Sequence, residues 1–526
     1  LPYQFSEACV QAAANIPDKV RATDRKGRKD LREMPLMTID GETARDFDDA
    51  VYAEKIGRNY RLVVAIADVS HYVRPHDAID DDAYQRGTSV YFPRRVIPML
   101  PESLSNGICS LNPEVERLCM VCDMVITYAG NVKEYSFYPA LMRSHARLTY
   151  TQVWDWLEQG GDYPHKKELE TLYKLFKVLH KKRQQRGAME FESVETQMLF
   201  DDHGKIERIV PVVRNDAHKL IEECMLAANV CAADFLLQHK HTALFRNHAG
   251  PTPEKLLVLR NQLGLLGLSL GGKDNPTPKD YAVLAEKIQG RPDQEVLQTM
   301  LLRSMQQAVY EGHNAGHFGL AYEHYAHFTS PIRRYPDLMV HRAIKAVLQQ
   351  KTYAPESWEK AGVHTSFTER RADEASRDVE NWLKTYYMRD KVGEVFNGKI
   401  TGVTNFGVFV TLDDIYIEGL VHVSDLGEDY FEYRPEIMAM VGEFSGKRFA
   451  LGDRVTVKVA RADLDTSKID LVLVGGGGSK RRKKAVTSSG SSKTSPKSVA
   501  QKAQKSPKSK KAEKKGKVSI KVKKRV

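Results

Sequence analysis

The period of the apolar positions changes several times along the chain, and those changes mark out its elements. Short apolar, β-branched runs at residues 60–67, 118–127 and 206–213 predict strands. Longer patterns predict helices over residues 216–239, 252–265, 294–311, 336–349 and 366–388. In the first of these, Leu220, Cys224, Ala227, Cys231 and Phe235 recur at the 3.6-residue spacing of one helix face. Away from that stripe the same helix carries His218, Glu222 and Asn229. One of the strongest apolar runs, Leu62 to Val69, is broken by Asp68, and no stretch approaches a membrane span.

Around Lys391 the texture changes. Five short strands are predicted at residues 395–403, 407–411, 419–422, 454–460 and 469–474, with turn residues between them. That pattern suggests a small all-β Greek-key barrel of the OB type. The expected organisation is therefore a helical lead-in and linker (1–32), a mixed α/β domain (33–390), an OB-fold barrel (391–474) and a tail (475–526).

Charge sharpens this division. The 526 residues carry a net +11, but residues 475–526 hold 19 Lys/Arg against the single acid Glu513. The tail is thus +18 and the preceding 474 residues −7. A mildly acidic body binds a polyanion through local channels rather than across its whole surface. The tail has too little apolar content to fold alone and is expected to be disordered. Its charge gives a salt-sensitive attraction to RNA or ribosomes.

Six cysteines in a chain this long do not describe a disulfide scaffold. Cys119 and Cys122 match CxxC, yet positions i and i+3 of a strand face opposite sides and cannot easily share a metal. All six read as reduced cytoplasmic thiols. No signal peptide is visible, and a chain that opens on Leu1 is expected to be a fragment or a processed form.

The densest chemistry lies in Ile39-Asp40-Gly41-Glu42-Thr43-Ala44-Arg45-Asp46-Phe47-Asp48-Asp49-Ala50. Four carboxylates this close repel one another and stay ionised together only around something strongly positive. Oxygen-only ligands point to Mg²⁺, or Mn²⁺, rather than zinc. A solvated acidic loop is the bland alternative; the apolar flanks argue that the loop is pinned inside a domain.

This cluster is similar to the signature of the ribonuclease II (RNB) exoribonucleases. Further blocks fit the same family in order: residues 64–73 (Val64 to Val73), Tyr91-Phe92-Pro93, Ile97 to Pro101, Ser144 to Tyr150, Arg214 to His218 leading into Ile221 to Met225, and His327 to Asp337. The barrel resembles an S1 RNA-binding domain through Asn405 to Val410 and Gly419 to Ser424. The resemblance covers about residues 1–474. The family usually carries cold-shock-type domains before its catalytic domain, and they are absent here, which fits a truncated version.

The resemblance implies processive 3′→5′ hydrolysis of RNA to nucleoside 5′-monophosphates by two metal ions, including structured RNA with a 3′ overhang. Asp40, Asp46, Asp48 and Asp49 would hold the metals, with Asp48 indispensable to the chemistry. Arg333 would clamp the phosphate through a planar, permanently charged fork, with Arg334 a secondary contact. Tyr91 and Phe191 would stack on bases, and Tyr150 and Glu222 would read the ribose. Glu222 could instead be a buried structural acid, and His218 reads as a packing histidine. Some relatives have a glutamate where this chain has Ser376, so no RNA contact is carried over there. On the barrel, Phe406, Phe409 and His422 lie where an OB surface presents stacking groups. Phe406 and Phe409 are three apart, so on a regular strand one of them would be core.

The expected partner is the 3′ end of single-stranded RNA, with the tail reaching ribosomes or regulatory proteins, and the expected state is a monomer without membrane contact. The rival from another class is a catalytically inactive RNA-binding or ribosome-associated protein. The four intact aspartates argue against it. A small-molecule phosphohydrolase would leave the barrel and tail without purpose.

Overall fold

The computed structural model describes residues 1–190, 195–291 and 293–475. The chain opens with α1 (Glu7–Ala14), capped by the Ser6 side chain on the Cys9 amide. Strands β1 (Lys29–Leu31), β2 (Met37–Asp40), β3 (Asp49–Ile56) and β4 (Asn59–Ala67) follow. Short helices α2 (Val69–Tyr72) and α3 (Ala78–Arg86) lead to a hairpin of β5 (Val90–Phe92) and β6 (Arg95–Ile97), then to β7 (Glu116–Ile126), β8 (Val132–Arg143) and β9 (Ala146–Thr149). Seven of these strands form one sheet in the order β1-β8-β7-β4-β3-β2-β9. Only its outer pairs, β1 with β8 and β2 with β9, are parallel. The segment read as a lead-in thus supplies an edge strand through Lys29–Leu31.

Burial on both faces explains the near-continuous apolar run in β4. Leu62, Val64 and Ile66 enter one core, while Val63, Ala65 and Ala67 enter the other. Such a strand has no solvent face to alternate with. The same alternation puts Cys122 in the first core and Cys119 in the second, so the CxxC spacing brings no metal pair together.

The first core is closed by α4 (Tyr150–Gln159), α5 (Lys166–Arg186) and α6 (Asp216–Gln238). Between α5 and α6 stands a second hairpin, β10 (Thr196–Phe200) with β11 (Ile206–Pro211). Then come β12 (Phe245–Asn247), α7 (Pro253–Leu265), α8 (Pro278–Ile288), α9 (Gln294–Ser304), β13 (Val309–Glu311), α10 (Tyr335–Leu348) and the 32-residue α11 (Trp358–Arg389). Helices α7 to α9 bury a small core of their own. The helix predicted over 294–311 ends at Ser304, and β13 instead pairs antiparallel with β12. No glycine or proline marks this stop. It is set by long-range pairing; at the helix end the buried Ser304 hydroxyl bonds the Tyr281 hydroxyl at 3.0 Å.

The five predicted barrel strands are present: β14 (Val395–Thr404), β15 (Gly407–Leu412) and β16 (Glu418–His422), then, after a three-stranded insertion, β20 (Arg454–Asp463) and β21 (Lys468–Leu473). The insertion, β17 (Phe431–Arg434), β18 (Ala439–Gly442) and β19 (Arg448–Ala450), has no counterpart in the sequence reading. The barrel core takes in Met388 from α11 and Met198 and Ile209 from the β10–β11 hairpin. Among the described residues, no helix is long and apolar enough to cross a membrane. All six cysteines are free and buried.

Candidate active site

The chain leaves the sheet at Asp40, the last residue of β2, and re-enters it at Asp49, the first of β3. The acidic loop between them is built into the fold. The Asp48 carbonyl accepts from the Ala67 amide at 2.8 Å, and the Phe47 carbonyl from the Leu111 amide at 2.9 Å. The Phe47 amide donates to Ser110 Oγ at 2.9 Å, and its ring is buried. Arg147 donates to the carbonyls of Gly41 and Glu42. The flanking Ile39, Ala50 and Val51 are buried, as their apolar character predicts.

A second loop, just before α10, closes over the first. Asp48 Oδ1 accepts from the Ile332 amide at 2.8 Å. Asp48 Oδ2 is buried without a hydrogen-bond partner, and Arg333 Nε stands 3.6 Å from it, beyond hydrogen-bonding reach. Burial pushes the Asp48 carboxyl well above the usual range; Arg333 and the Ile332 N–H oppose this, and Asp46 and Asp49 add to it. Asp49 is pushed up to about 7 by burial and by repulsion from Asp40. Asp40 is raised by burial, against the Gly41 N–H, with Asp46 adding repulsion.

The two adjacent arginines have different surroundings. The Arg333 side chain is 43% exposed, with Nη2 donating to Ser330 Oγ at 3.0 Å. Arg334 donates to Asp337 Oδ1 at 2.7 Å, and that fully buried oxygen also accepts from the Ser330 amide at 2.8 Å. Arg334 therefore fastens the loop that presents Arg333.

Tyr91, on β5, donates its hydroxyl to Asp46 Oδ2 at 2.8 Å and remains 44% exposed. Ser376 Oγ on α11 donates to the Tyr91 carbonyl at 3.3 Å, so this departure from the family pattern touches the site through the backbone. Tyr150 stacks on His218 with ring centroids 4.0 Å apart. His218 also completes the Asn215 cap of α6, a packing role of the kind read from the sequence. Glu222 accepts from Arg183 at 2.7 Å and from Arg214 at 2.8 Å. Burial alone would raise its carboxyl, but these two cations hold it below its usual range.

Asp40, Asp46, Asp48, Asp49, Tyr91, Tyr150, Glu222, Arg333 and Arg334 all line one cleft of about 890 Å³. The sequence reading missed Arg45, Arg94 and Arg95, which line the same cleft, and it gave Asn229 no role. Asn229 donates to the Tyr325 hydroxyl at 3.0 Å and accepts from the Phe328 amide at 2.8 Å. Scattered arginines and one polar residue off a helix stripe leave no local signal. Phe191 and the tail from residue 476 lie outside the described residues.

On the barrel, the opposite-face expectation for Phe406 and Phe409 fails. Phe406 sits in the turn before β15, where strand alternation does not apply. The two rings meet edge to face at 6.0 Å, and neither enters the buried core. His422, exposed at the end of β16, bonds Ser424 Oγ at 2.9 Å.

The family model of the RNB domain matches residues 28–350, and that of the S1 RNA binding domain matches residues 389–473. The chain belongs to the RNB family. It is similar to Ribonuclease R of Escherichia coli (strain K12), at 50% identity over 545 aligned residues, covering 100% of this chain and 65% of that relative. It is also similar to Ribonuclease R of Vibrio cholerae, at 52% identity over 497, covering 90% of this chain and 60% of the relative. The solved structure of Mycoplasma genitalium RNase R in complex with ribose methylated single-stranded RNA superposes with a TM-score of 0.85 at 30% identity, over 90% of this chain and 76% of that one. The chain thus spans less than two thirds of the length of these curated relatives, 65% and 60%.

Membership of the family implies a divalent metal ion, and the residues fit one. The donors are all oxygens, three of the four carboxyls are raised by burial and mutual repulsion, and Asp48 Oδ2 is an orphaned buried acceptor. Among the described residues, no group of three or more His, Cys, Asp or Glu side chains is arranged to hold an ion by itself.

Proposed function

We propose that this protein is a metal-dependent 3′→5′ exoribonuclease that hydrolyses single-stranded RNA processively to nucleoside 5′-monophosphates, including structured RNA with a 3′ overhang. The observation that carries this reading is Asp48, with one oxygen fixed by the Ile332 amide and the other buried and unpartnered beside Arg333. Burial makes the ionised Asp48 costly beyond what Arg333 and the Ile332 N–H offset, and a bound cation would remove that cost. Two Mg²⁺ ions, or Mn²⁺, would supply activated water and neutralise charge on the phosphate.

The protein's own residues position the reactants. Asp40, Asp46, Asp48 and Asp49 would hold the ions, with Asp46 and Asp48 the two that serve the chemistry. Arg333, half exposed and on a fastened loop, clamps that phosphate; Arg334 serves as the fastener. Tyr91 and Phe191 stack on the bases at the 3′ end. Tyr150 and the ionised Glu222, held by Arg183 and Arg214, accept from the ribose 2′-OH and select RNA over DNA. Phe406, Phe409 and His422 hold the incoming strand by stacking.

The protein works as a cytoplasmic monomer whose partner is the 3′ end of RNA, with the basic tail reaching the ribosome or a regulatory protein. The test is digestion of a 5′-labelled RNA of about 30 nucleotides, long enough to exceed a channel of several nucleotides. Collapse to a product of a few nucleotides, abolished by EDTA and by a blocked 3′ end, is the expected result. Bound RNA with intact label would instead establish an RNA-binding protein without turnover.

A further inference from the structure

The hairpin that carries Tyr91 into the cleft is held at its far end by residues outside the catalytic sheet. At its turn, Arg94 places its guanidinium over the Phe200 ring, 5.4 Å from the centroid. Gly204, in the turn of the β10–β11 hairpin, has φ +78°, and a Cβ there would collide with Arg94 Nη1. The Phe200 ring and the Gly204 turn of β10–β11 thus both lie against one side chain. That hairpin belongs to the barrel: Met198 and Ile209 are buried with Val408, Val457 and Leu471, and Phe200 packs against the same cluster. A second strut starts from α11. Ser376 holds the Tyr91 carbonyl, and the helix runs on into the barrel core at Leu383, Tyr387 and Met388.

We propose that Arg94 is a positioning residue for the hydrolysis: seated on Phe200, it ties the Tyr91 hairpin to the barrel, so that barrel docking fixes Tyr91 against Asp46. The S1 barrel then does more than hold RNA; it sets the ring on which the 3′ end stacks. This inference rests on the exoribonuclease reading. It differs from a simple phosphate contact by Arg94, because it assigns a role to Phe200, which is absent from the cleft lining.

The test uses the full chain and three variants. Phe200→Leu keeps the apolar packing against the barrel and removes the π face; Phe200→Tyr keeps the face; Arg94→Ala removes an exposed side chain and does not threaten folding. The readouts are kcat and KM on single-stranded RNA, Tm, and hydrogen exchange of the amides of residues 90–97. Phe200→Leu is expected to lower kcat about two- to fivefold, the scale of an exposed cation–π contact, with KM unchanged, Tm lowered only slightly and faster hairpin exchange. Phe200→Tyr should match the parent, and the double variant with Arg94→Ala should be no slower than Arg94→Ala alone.

Parental kcat and exchange in Phe200→Leu, or losses that multiply in the double variant, would overturn the proposal. So would a change confined to KM and salt dependence in Arg94→Ala, the mark of a phosphate contact. If Phe200→Leu melts early, exchange in Arg94→Ala decides the same point. A parent protein that hydrolyses no RNA sinks the exoribonuclease reading instead, and the exchange data still show whether Arg94 and Phe200 hold the hairpin.

Discussion

Asp48 and Ile332 lie 284 positions apart in the chain and are joined by a 2.8 Å hydrogen bond from the Ile332 amide to Asp48 Oδ1. The bond leaves the second carboxylate oxygen aimed at Arg333, the residue next to Ile332. Acid and arginine are therefore positioned by the same loop.

Asp48→Asn separates charge from shape. The amide oxygen still accepts from Ile332, so the fold is retained, and metal-free protein melts no lower than the parent. Turnover falls by at least about a hundredfold, the scale of losing one preorganised electrostatic group, while RNA affinity is kept. Turnover within tenfold of the parent, measured on the same labelled RNA, would remove Asp48 from the chemistry.

The neighbouring arginines should fail in different ways. Arg333→Lys loses the planar fork and lowers kcat with an unchanged Tm. Arg334→Met leaves the fully buried Asp337 without its cation, at a cost of about 3–5 kcal/mol, and lowers Tm. Equal melting temperatures for the two variants would contradict the division of labour.

The raised carboxyls make stability depend on pH and metal together. The Asp49 value of about 7 in the fold lies above the unfolded value near 3.9. Between those limits the folded state keeps a proton that the unfolded chain has released. Raising the pH through this window therefore removes stability from the metal-free protein. Asp40 and Asp48 shift in the same direction. A divalent cation replaces the proton, so the gain in Tm on adding Mg²⁺ should be larger near about pH 8 than near about pH 5.5. Thermal melts at the two values check this; a larger gain at low pH would refute it.

Phe406 is 45% exposed and packs edge to face on Phe409. Phe406→Ala should weaken binding of long RNA by about 1–3 kcal/mol, the range for one lost base-stacking ring, and leave kcat unchanged. Filter binding against RNA length reads this directly; equal losses on short and long RNA would place Phe406 elsewhere than on the entering strand.

Much of this architecture was legible because local pattern and long-range packing agree. The apolar run in β4, the stripe on α6 and the five barrel strands are each repeated over enough residues to outvote local noise. The acidic loop was legible for another reason: four like charges between apolar flanks have few structural explanations. Where the reading failed, a distant partner decided. The 294–311 segment keeps a helical pattern past Ser304, and only pairing with Phe245–Asn247 draws Val309–Glu311 into a strand. Glu222 looked open to either role, and its two arginine partners lie 39 and 8 positions away. The contact of Arg94 with Phe200 has no periodicity to announce it.

The span between Asp48 and Ile332 also sets an order of events during translation. At about 5–20 residues added per second, the acidic half leaves the ribosome about 15–60 s before the loop that completes it. Until then Asp48 has neither its orienting amide nor Arg333. If the exoribonuclease reading proposed above holds, a nascent chain that meets its own messenger RNA in that interval lacks a complete site, and the wiring of the fold would postpone cleavage until synthesis has passed Arg333.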